Sequence, residues 1–268
     1  MYILAIETTG PEASAALLTV PDQDVTQSEP AYSRGVLLGE KSCGEAKNHL
    51  KNLMPLIQKL LADCGIEKTQ LTHIAASVGP GSFTGIRIGV ATARALAQVL
   101  QLPCIAVPTL ETFRCADINL AGSHSIGGQR PAVCGILNAR RGQVYGIVED
   151  CLPGGPYMLT EVLDVIAEKV LPLGRAVKFY GDGIDAYEAQ IRSYFDDLGR
   201  REGTDYFFAA PKVRYQRAAA AAYAAIPKIL KGEAVGFAQL LPDYMRKAEA
   251  EVKLAAGQLP ICRGPKQE

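Results

Sequence analysis

Residues 78–89 read Val-Gly-Pro-Gly-Ser-Phe-Thr-Gly-Ile-Arg-Ile-Gly, and they join a short apolar run to a long alanine-rich segment. Gly79 and Gly81 allow backbone angles that side chains disfavour, so the pattern predicts a turn between a strand at 73–78 and a helix at about 86–100. The free amides at a helix N-terminus favour anions. The stretch therefore predicts either a phosphate-binding loop or a rigid turn that packs the helix tightly on a sheet.

Two familiar phosphate loops do not match this stretch. A Walker loop requires Gly-Lys-Ser/Thr, which is absent here. A dinucleotide-binding loop follows a single first strand, whereas this chain begins with two apolar runs, 2–6 and 13–20, that predict a hairpin. Residues 35–41 predict a third strand at a sheet edge.

The remaining periodicity predicts an alternating α/β unit that is built twice. Apolar residues at helical spacing predict a helix over 48–64, in which Pro55 should introduce a kink or mark the true start and Gly65 should end the helix. A strand at 104–107 completes the order β-β-β-α-β-α-β. A second hairpin over 131–148 begins another copy of this plan, which we interpret as degraded. The predicted divisions are a first lobe at 1–107, a smaller second lobe at 108–212, a helix packing back between the lobes at 213–239 and a tail at 240–268.

Bulk composition narrows the class of protein. Lys and Arg equal Asp and Glu at 28 each, so no net charge attracts the chain to nucleic acid. The seven cysteines form no C-x-x-C pair, which is typical of reduced thiols in a cytoplasmic protein. No apolar run approaches the roughly 20 residues that a membrane span needs.

The first strand ends in Glu7-Thr8-Thr9, where an acid followed by hydroxyl residues can hold a magnesium–phosphate group, although on these residues alone a plain turn between strands is the better explanation. With the glycine-rich loop they make a candidate, degenerate phosphate site: Glu7, Thr8, Thr9, Gly79, Gly81, Ser82 and Thr84. The three histidines lack metal-ligand spacing, and Ser82 lacks a visible His/Asp framework. We therefore predict no metal site and no catalytic residue.

Six segments match one known family in order: 3–8, the helix with His49, Leu53 and Pro55, then 79–89, 108–110, 138–145 and 242–246. On these residues the chain closely resembles the bacterial TsaB (YeaZ) family. The resemblance implies the actin/sugar-kinase/Hsp70-like ATPase fold, with two ribonuclease-H-like lobes of mixed sheets flanked by helices.

The same resemblance implies a role and partners. It implies a scaffold that pairs directly with a TsaD-like subunit, which carries the metal and the transfer chemistry, and that is joined by a TsaE-like ATPase. Together they form threonylcarbamoyladenosine beside the anticodon of tRNA, which this chain contacts only indirectly. Family members also self-associate through the helices seen here at 48–64 and 84–100. The implied partner-facing residues are His49, Leu50, Leu53, Met54, Ile57, Gly85, Arg87, Ile88, Val90, Ala91 and Arg94.

Two departures from the family pattern bear on activity. The family usually has Asp at the positions of Glu7 and Asn138, which correspond to the acids of the two phosphate hairpins of active relatives. An amide cannot replace a charge that balances magnesium, so both changes argue against nucleotide turnover. We expect no required cofactor and leave open ATP or ADP at an interface with the partner. The alternative is a small ATP-binding kinase-like enzyme or ATPase of the same fold; a metalloprotease is a remote third.

Overall fold

The structure is a computed structural model, and it describes residues 1–21, 31–44, 49–118 and 129–245. The predicted loops at 21–30 and 121–130 and the end of the tail, 246–268, lie largely or entirely outside these ranges.

Five strands form the first sheet in the order β3-β2-β1-β4-β5. β1 pairs antiparallel with β2, and β2 with β3, while β1, β4 and β5 run parallel. Their bounds are β1 Tyr2–Glu7, β2 Ser14–Thr19, β3 Val36–Ser42, β4 His73–Gly79 and β5 Cys104–Pro108. The parallel pairing brings the ends of β1 and β4 to the same edge, so the turns after Glu7 and after Gly79 become neighbours.

The second sheet repeats this topology with five strands in the order β10-β9-β6-β7-β8. Read from its other edge, the order is β8-β7-β6-β9-β10, with antiparallel and parallel pairs in the same places as in the first sheet. The bounds are β6 Ala132–Asn138, β7 Gln143–Val148, β8 Leu152–Met158, β9 Val177–Tyr180 and β10 Tyr206–Phe208. This doubled mixed sheet confirms the predicted fold class.

Helices cover both sheets. Their bounds are α1 His49–Asp63, α2 Phe83–Leu100, α3 Thr109–Thr112, α4 Leu159–Val165, α5 Gly183–Asp197, α6 Pro211–Arg214 and α7 Ala218–Leu230. α4 continues as a short π-helix over Ile166–Val170. α1 runs through Pro55, so the helix does not begin at that residue, and Ile66 N–H bonds to the Leu61 carbonyl across the left-handed Gly65.

Each half also contributes a helix to the other half. α1 and α2 pack on one face of the first sheet, where Leu53 and Val90 meet Leu4. α7, which follows the second sheet in sequence, packs on the opposite face of the first sheet through its alanines and Tyr223. Conversely, Leu110 of α3 and the following Phe113 join a core with Val133, Leu137 and Tyr180 of the second half. Small alanine side chains let α7 lie close to the strands.

Candidate functional site

Glu7 occupies the end of β1 and is completely buried. Its Oε1 accepts a hydrogen bond of 2.5 Å from the backbone N–H of Thr9 and one of 2.6 Å from the Thr9 hydroxyl. Its Oε2 has no hydrogen-bond partner among the described residues. The carboxyl group therefore points into the protein and closes the turn that follows its own strand.

Burial changes the acid–base behaviour of this group. Loss of hydration raises the pKa of Glu7 above its ordinary value of 4.5, and hydrogen bonds from Thr9 oppose that rise only in part. Ser77 lies close enough to lower this pKa, but its hydroxyl does not meet hydrogen-bond geometry with Glu7. A sealed carboxyl group with a raised pKa is a poor ligand for Mg²⁺, which prefers hydrated, charged carboxylates.

The glycine-rich loop packs directly on the turn after β1. A Cβ atom at Gly81 would lie 2.6 Å from the Thr9 carbonyl oxygen, and one at Gly85 would lie 1.9 Å from the Thr8 carbonyl oxygen. Two hydrogen bonds join the segments, from Ser82 N–H to the Thr9 carbonyl at 2.8 Å and from the Thr8 hydroxyl to the Gly85 carbonyl at 2.7 Å. Close packing against the turn after β1 therefore explains why Gly81 and Gly85 carry no side chain.

Other polar groups of the glycine-rich loop also form hydrogen bonds within the chain. The Ser82 hydroxyl accepts a hydrogen bond of 3.2 Å from Gly85 N–H and so caps α2. On its outer side the loop meets the C-terminal segment, where Asp243 N–H bonds to the Val78 carbonyl and the Asp243 carbonyl lies 2.3 Å from the Cβ position of Gly79. Ser82 and Thr84 are the two members of the predicted phosphate site that stay exposed. Phosphate binding at this loop stays a prediction.

The equivalent turn of the second half is built around Asn138. Its side-chain oxygen accepts hydrogen bonds from Arg140 N–H at 2.8 Å and from the Tyr187 hydroxyl at 3.3 Å. Its backbone N–H donates to Asp182 Oδ1 at 3.0 Å. Burial raises the pKa of Asp182, and the bond from Asn138 lowers it in part. A carboxyl group therefore lies beside the position where the acid of the hairpin is missing.

Asp182 was not found by sequence reasoning, although a signal for it exists. Gly181-Asp182-Gly183 lies at the end of β9 just as Gly79-Pro80-Gly81 lies at the end of β4. A Cβ atom at Gly181 would lie 2.0 Å from the Ile136 carbonyl oxygen, so this loop too is pressed against the strand at the centre of its sheet. The pairing of the two loops becomes visible only once the strand order is known.

The predicted partner-facing residues divide into two groups. Leu50 is 76% exposed and Met54 39% exposed on α1, and α2 exposes Arg87 and Ala91, with Ile88 and Arg94 half-buried. Four of the predicted residues are instead buried within the chain's own first half: Leu53, Ile57, Gly85 and Val90. Helical spacing marks an apolar stripe but does not say how much of that stripe the sheet covers. The side chain of His49 lies outside what the structure describes.

Comparison with known proteins decides the family. A family model described as "TsaD: tRNA N6-adenosine threonylcarbamoyltransferase" matches residues 44–254. The chain is 34% identical over 220 residues to the tRNA threonylcarbamoyladenosine biosynthesis protein TsaB of Bacillus subtilis, which covers 79% of this chain and 86% of that protein. The chain belongs to the TsaB (YeaZ) family. The TsaB of Escherichia coli is also 34% identical, over 99 residues that cover 37% of this chain and 40% of that protein.

Solved structures give the same result for the fold of this TsaB family member. YeaZ from Pseudomonas aeruginosa matches with a TM-score of 0.62 and 22% sequence identity, over 91% of this chain and 99% of that chain. The two lobes described above are thus the family architecture. Within residues 1–21, 31–44, 49–118 and 129–245, no three His, Cys, Asp or Glu side chains are grouped so as to hold a metal ion, and no helix is long and apolar enough to cross a membrane.

Proposed function

We propose that this TsaB family member is a non-catalytic subunit that binds a TsaD-like protein and supports the formation of threonylcarbamoyladenosine in tRNA beside the anticodon. Membership of the TsaB family supports a role in the biosynthesis of threonylcarbamoyladenosine in tRNA. The single observation that carries the non-catalytic role is the burial of Glu7, whose carboxyl group accepts hydrogen bonds from the backbone N–H and the hydroxyl of Thr9.

The burial of Glu7 bears directly on phosphate-transfer chemistry. A phosphate-transferring member of this fold needs a charged acid that reaches magnesium or water at the end of its first strand. Here burial raises the pKa of the acid at that place, Thr9 donates two hydrogen bonds to one of its carboxyl oxygens, and the second hairpin carries Asn138. Loss of turnover leaves the helical faces of the first lobe unaffected, so docking is the activity that these residues still support.

Docking would take place on the outer sides of α1 and α2. Leu50 and Met54 expose apolar surface there, and Ala91 offers a small side chain on α2 that allows close helix approach. Exposed apolar side chains grouped on one face mark protein–protein contact sites. A TsaD-like subunit would be the direct partner, a TsaE-like ATPase would join the pair, and tRNA would be contacted through them.

Reconstitution tests this function. The TsaD-like and TsaE-like subunits of the same organism, supplied with threonylcarbamoyl adenylate and tRNA, should modify tRNA much faster when this chain is added, and this chain alone should produce no modified tRNA. Rate against added chain should saturate near one copy per TsaD-like subunit. Equal rates with and without the chain would contradict the proposal.

The alternative is an ATP-binding kinase-like enzyme or ATPase, which should bind and hydrolyse magnesium-ATP on its own. If the chain is a non-catalytic subunit, calorimetry of the isolated chain with magnesium-ATP should show no tight binding, and phosphate release should not exceed the rate without protein. Tight binding with turnover by the isolated chain would favour the enzyme and overturn the scaffold.

A further inference from the structure

We infer that residues 240–245 form a releasable strap. While the strap is in place, it covers the outer side of the glycine-rich loop and holds the two halves of the chain together, and its release frees both. This device acts within the chain and is independent of the proposed function.

The strap starts from a fixed root in the first half. Val235 and Cys104 exchange two backbone hydrogen bonds of 2.8 and 2.9 Å, which attach the chain to the start of β5. Leu240 is completely buried in the same core as Val78 and Ile86. Because exposing a buried leucine is costly, movement of the strap begins after Leu240.

The strap then lies directly on the glycine-rich loop. Asp243 N–H donates a hydrogen bond of 2.8 Å to the Val78 carbonyl oxygen, at a point where the pairing of β4 with β5 is irregular. A Cβ atom at Gly79 would lie 2.3 Å from the Asp243 carbonyl oxygen, so a side chain there would displace the strap. The loop is therefore enclosed on both sides, by the turn after β1 on the inside and by the strap on the outside.

The side chain of Tyr244 fastens the strap to α2. Its ring lies 4.8 Å from the ring of Phe83, and its hydroxyl accepts a hydrogen bond of 2.9 Å from Arg87 Nε–H. Tyr244 is nevertheless 39% exposed, and Leu241 is 58% exposed. Contacts that water already reaches are exchanged for contacts with water at little cost, so this part of the chain can detach while the core stays folded.

The end of the strap reaches the second half. Met245 packs against a core that includes Leu137 of β6 and Tyr180 of β9. Met245 follows Leu240 by five residues, which span at most about 18 Å at full extension. The two halves therefore cannot move far apart at this edge unless Met245 or Asp243 is first released.

The chain itself crosses between the halves at two other places, and ion pairs fix both crossings. Before α7, the Arg217 guanidinium group binds the Glu40 carboxylate of β3, and after α3 the Asp117 carboxylate binds the Lys178 ammonium group of β9. These four side chains are between 13% and 32% exposed, less than Tyr244. With these crossings fixed, release of the strap leaves the halves free to hinge about them.

Hydrogen exchange of the full chain, followed by mass spectrometry at several urea concentrations, tests the strap. The Ser82 amide, which donates a hydrogen bond to the Thr9 carbonyl oxygen, reports on the loop. In the parent chain it should exchange faster than the amides of β1 and depend little on urea, since a local opening exposes little surface. Exchange of Ser82 only together with β1 would show that the strap is not separately releasable and would overturn the inference.

Variants test the two anchors. Tyr244→Ala should speed exchange in residues 78–83 by about tenfold. Met245→Ala should speed exchange in the same residues, although Met245 packs against the second half, because it removes the far anchor. Leu241→Ala changes an exposed residue of the strap and should alter this exchange by less than about twofold. Unchanged exchange in Met245→Ala would show that the strap does not couple the halves, which would overturn the inference.

Small-angle X-ray scattering tests the movement of the halves. The double variant Tyr244→Ala/Met245→Ala should have a larger radius of gyration than the parent chain, because the open arrangement becomes populated. Its circular dichroism should match that of the parent chain. An unchanged radius of gyration would overturn the inference. A double variant that fails to fold would overturn it as well, since the strap would then be part of the core.

Discussion

The hydroxyl of Thr8 donates a hydrogen bond of 2.7 Å to the carbonyl oxygen of Gly85, which joins the turn after β1 to the first turn of α2. The two residues are 77 positions apart in sequence. Because the backbones touch, the glycines of the loop have a packing role that is independent of any phosphate.

Gly85→Ala tests this packing. Alanine normally stabilises a helix by about 1 kcal/mol relative to glycine. At Gly85, however, the added Cβ would lie 1.9 Å from the Thr8 carbonyl oxygen, so we expect a net loss of about 1–3 kcal/mol of unfolding free energy. Urea denaturation measures it. Thr84→Ala, at the exposed neighbouring position, is the matched control and should cost less than about 0.5 kcal/mol; equal stability of the two variants would refute the close contact.

Glu7 should make stability depend on pH. Since burial raises the pKa of its carboxyl group, the folded state binds a proton more tightly than the unfolded state does. Stability should therefore fall as pH rises above the ordinary value of 4.5 and level off above the folded-state pKa. Denaturation between about pH 5 and about pH 8 should show a smaller fall in Glu7→Gln than in the parent chain.

The control for that experiment is Glu12→Gln, which changes an exposed carboxyl group a few residues away. Its pH profile should follow that of the parent chain. A Glu7→Gln profile that also matches the parent would contradict a raised pKa of Glu7 in the folded state.

Ala91→Glu should abolish pairing with the TsaD-like subunit while leaving the monomer folded, because Ala91 is exposed on α2. Val90→Asp, one position earlier, should instead unfold the first lobe, since Val90 is 2% exposed and a carboxylate there would be unpaired. Size-exclusion chromatography with the partner and thermal melts separate the two effects. Ala186→Glu, on an exposed position of α5, should pair normally, and loss of pairing in it would remove the interface assignment.

Asp117 should anchor the segment after α3 to the second sheet. It accepts hydrogen bonds from the Lys178 ammonium group and from the Tyr180 hydroxyl at 2.6 Å, and both Asp117 and Lys178 are mostly buried. Asp117→Asn should lower the unfolding free energy by about 1–3 kcal/mol. A double-mutant cycle with Lys178→Met isolates the coupling between the two side chains.

Asp150→Asn provides the comparison for Asp117. The Asp150 carboxylate is 70% exposed and lies 3.4 Å from Arg175, so its loss should cost under about 0.5 kcal/mol. A coupling energy near zero for Asp117 and Lys178 would show that this contact does not stabilise the packing of the segment after α3 on the second sheet.

Local periodicity was enough to predict most elements. The hairpins at the start of each half, the helices α1, α2 and α5 and the short strands β4, β5 and β9 follow from apolar spacing and from turn residues close by in the chain. Each of these signals spans only a few residues, which is why the doubled plan and the fold class could be stated from sequence.

Two strands were missed for a physical reason. Leu152–Met158 reads Leu-Pro-Gly-Gly-Pro-Tyr-Met, a composition that disfavours strands, yet β8 forms at a sheet edge where only one side needs hydrogen bonds. β10 has three residues, and its pairing with β9 alone defines it. The second half therefore looked more degraded in sequence than its five-stranded sheet is.

The sequence by itself determined most of the elements in their order, the doubled plan and the family, because these depend on short patterns and on motifs kept in order. Only the tertiary structure decided that Glu7 is sealed, that Leu53 and Val90 face inward and that Tyr244 meets Arg87 across 157 positions of chain. Burial and charge pairing depend on which distant residues share a face of a sheet. That information is absent from any local stretch of sequence.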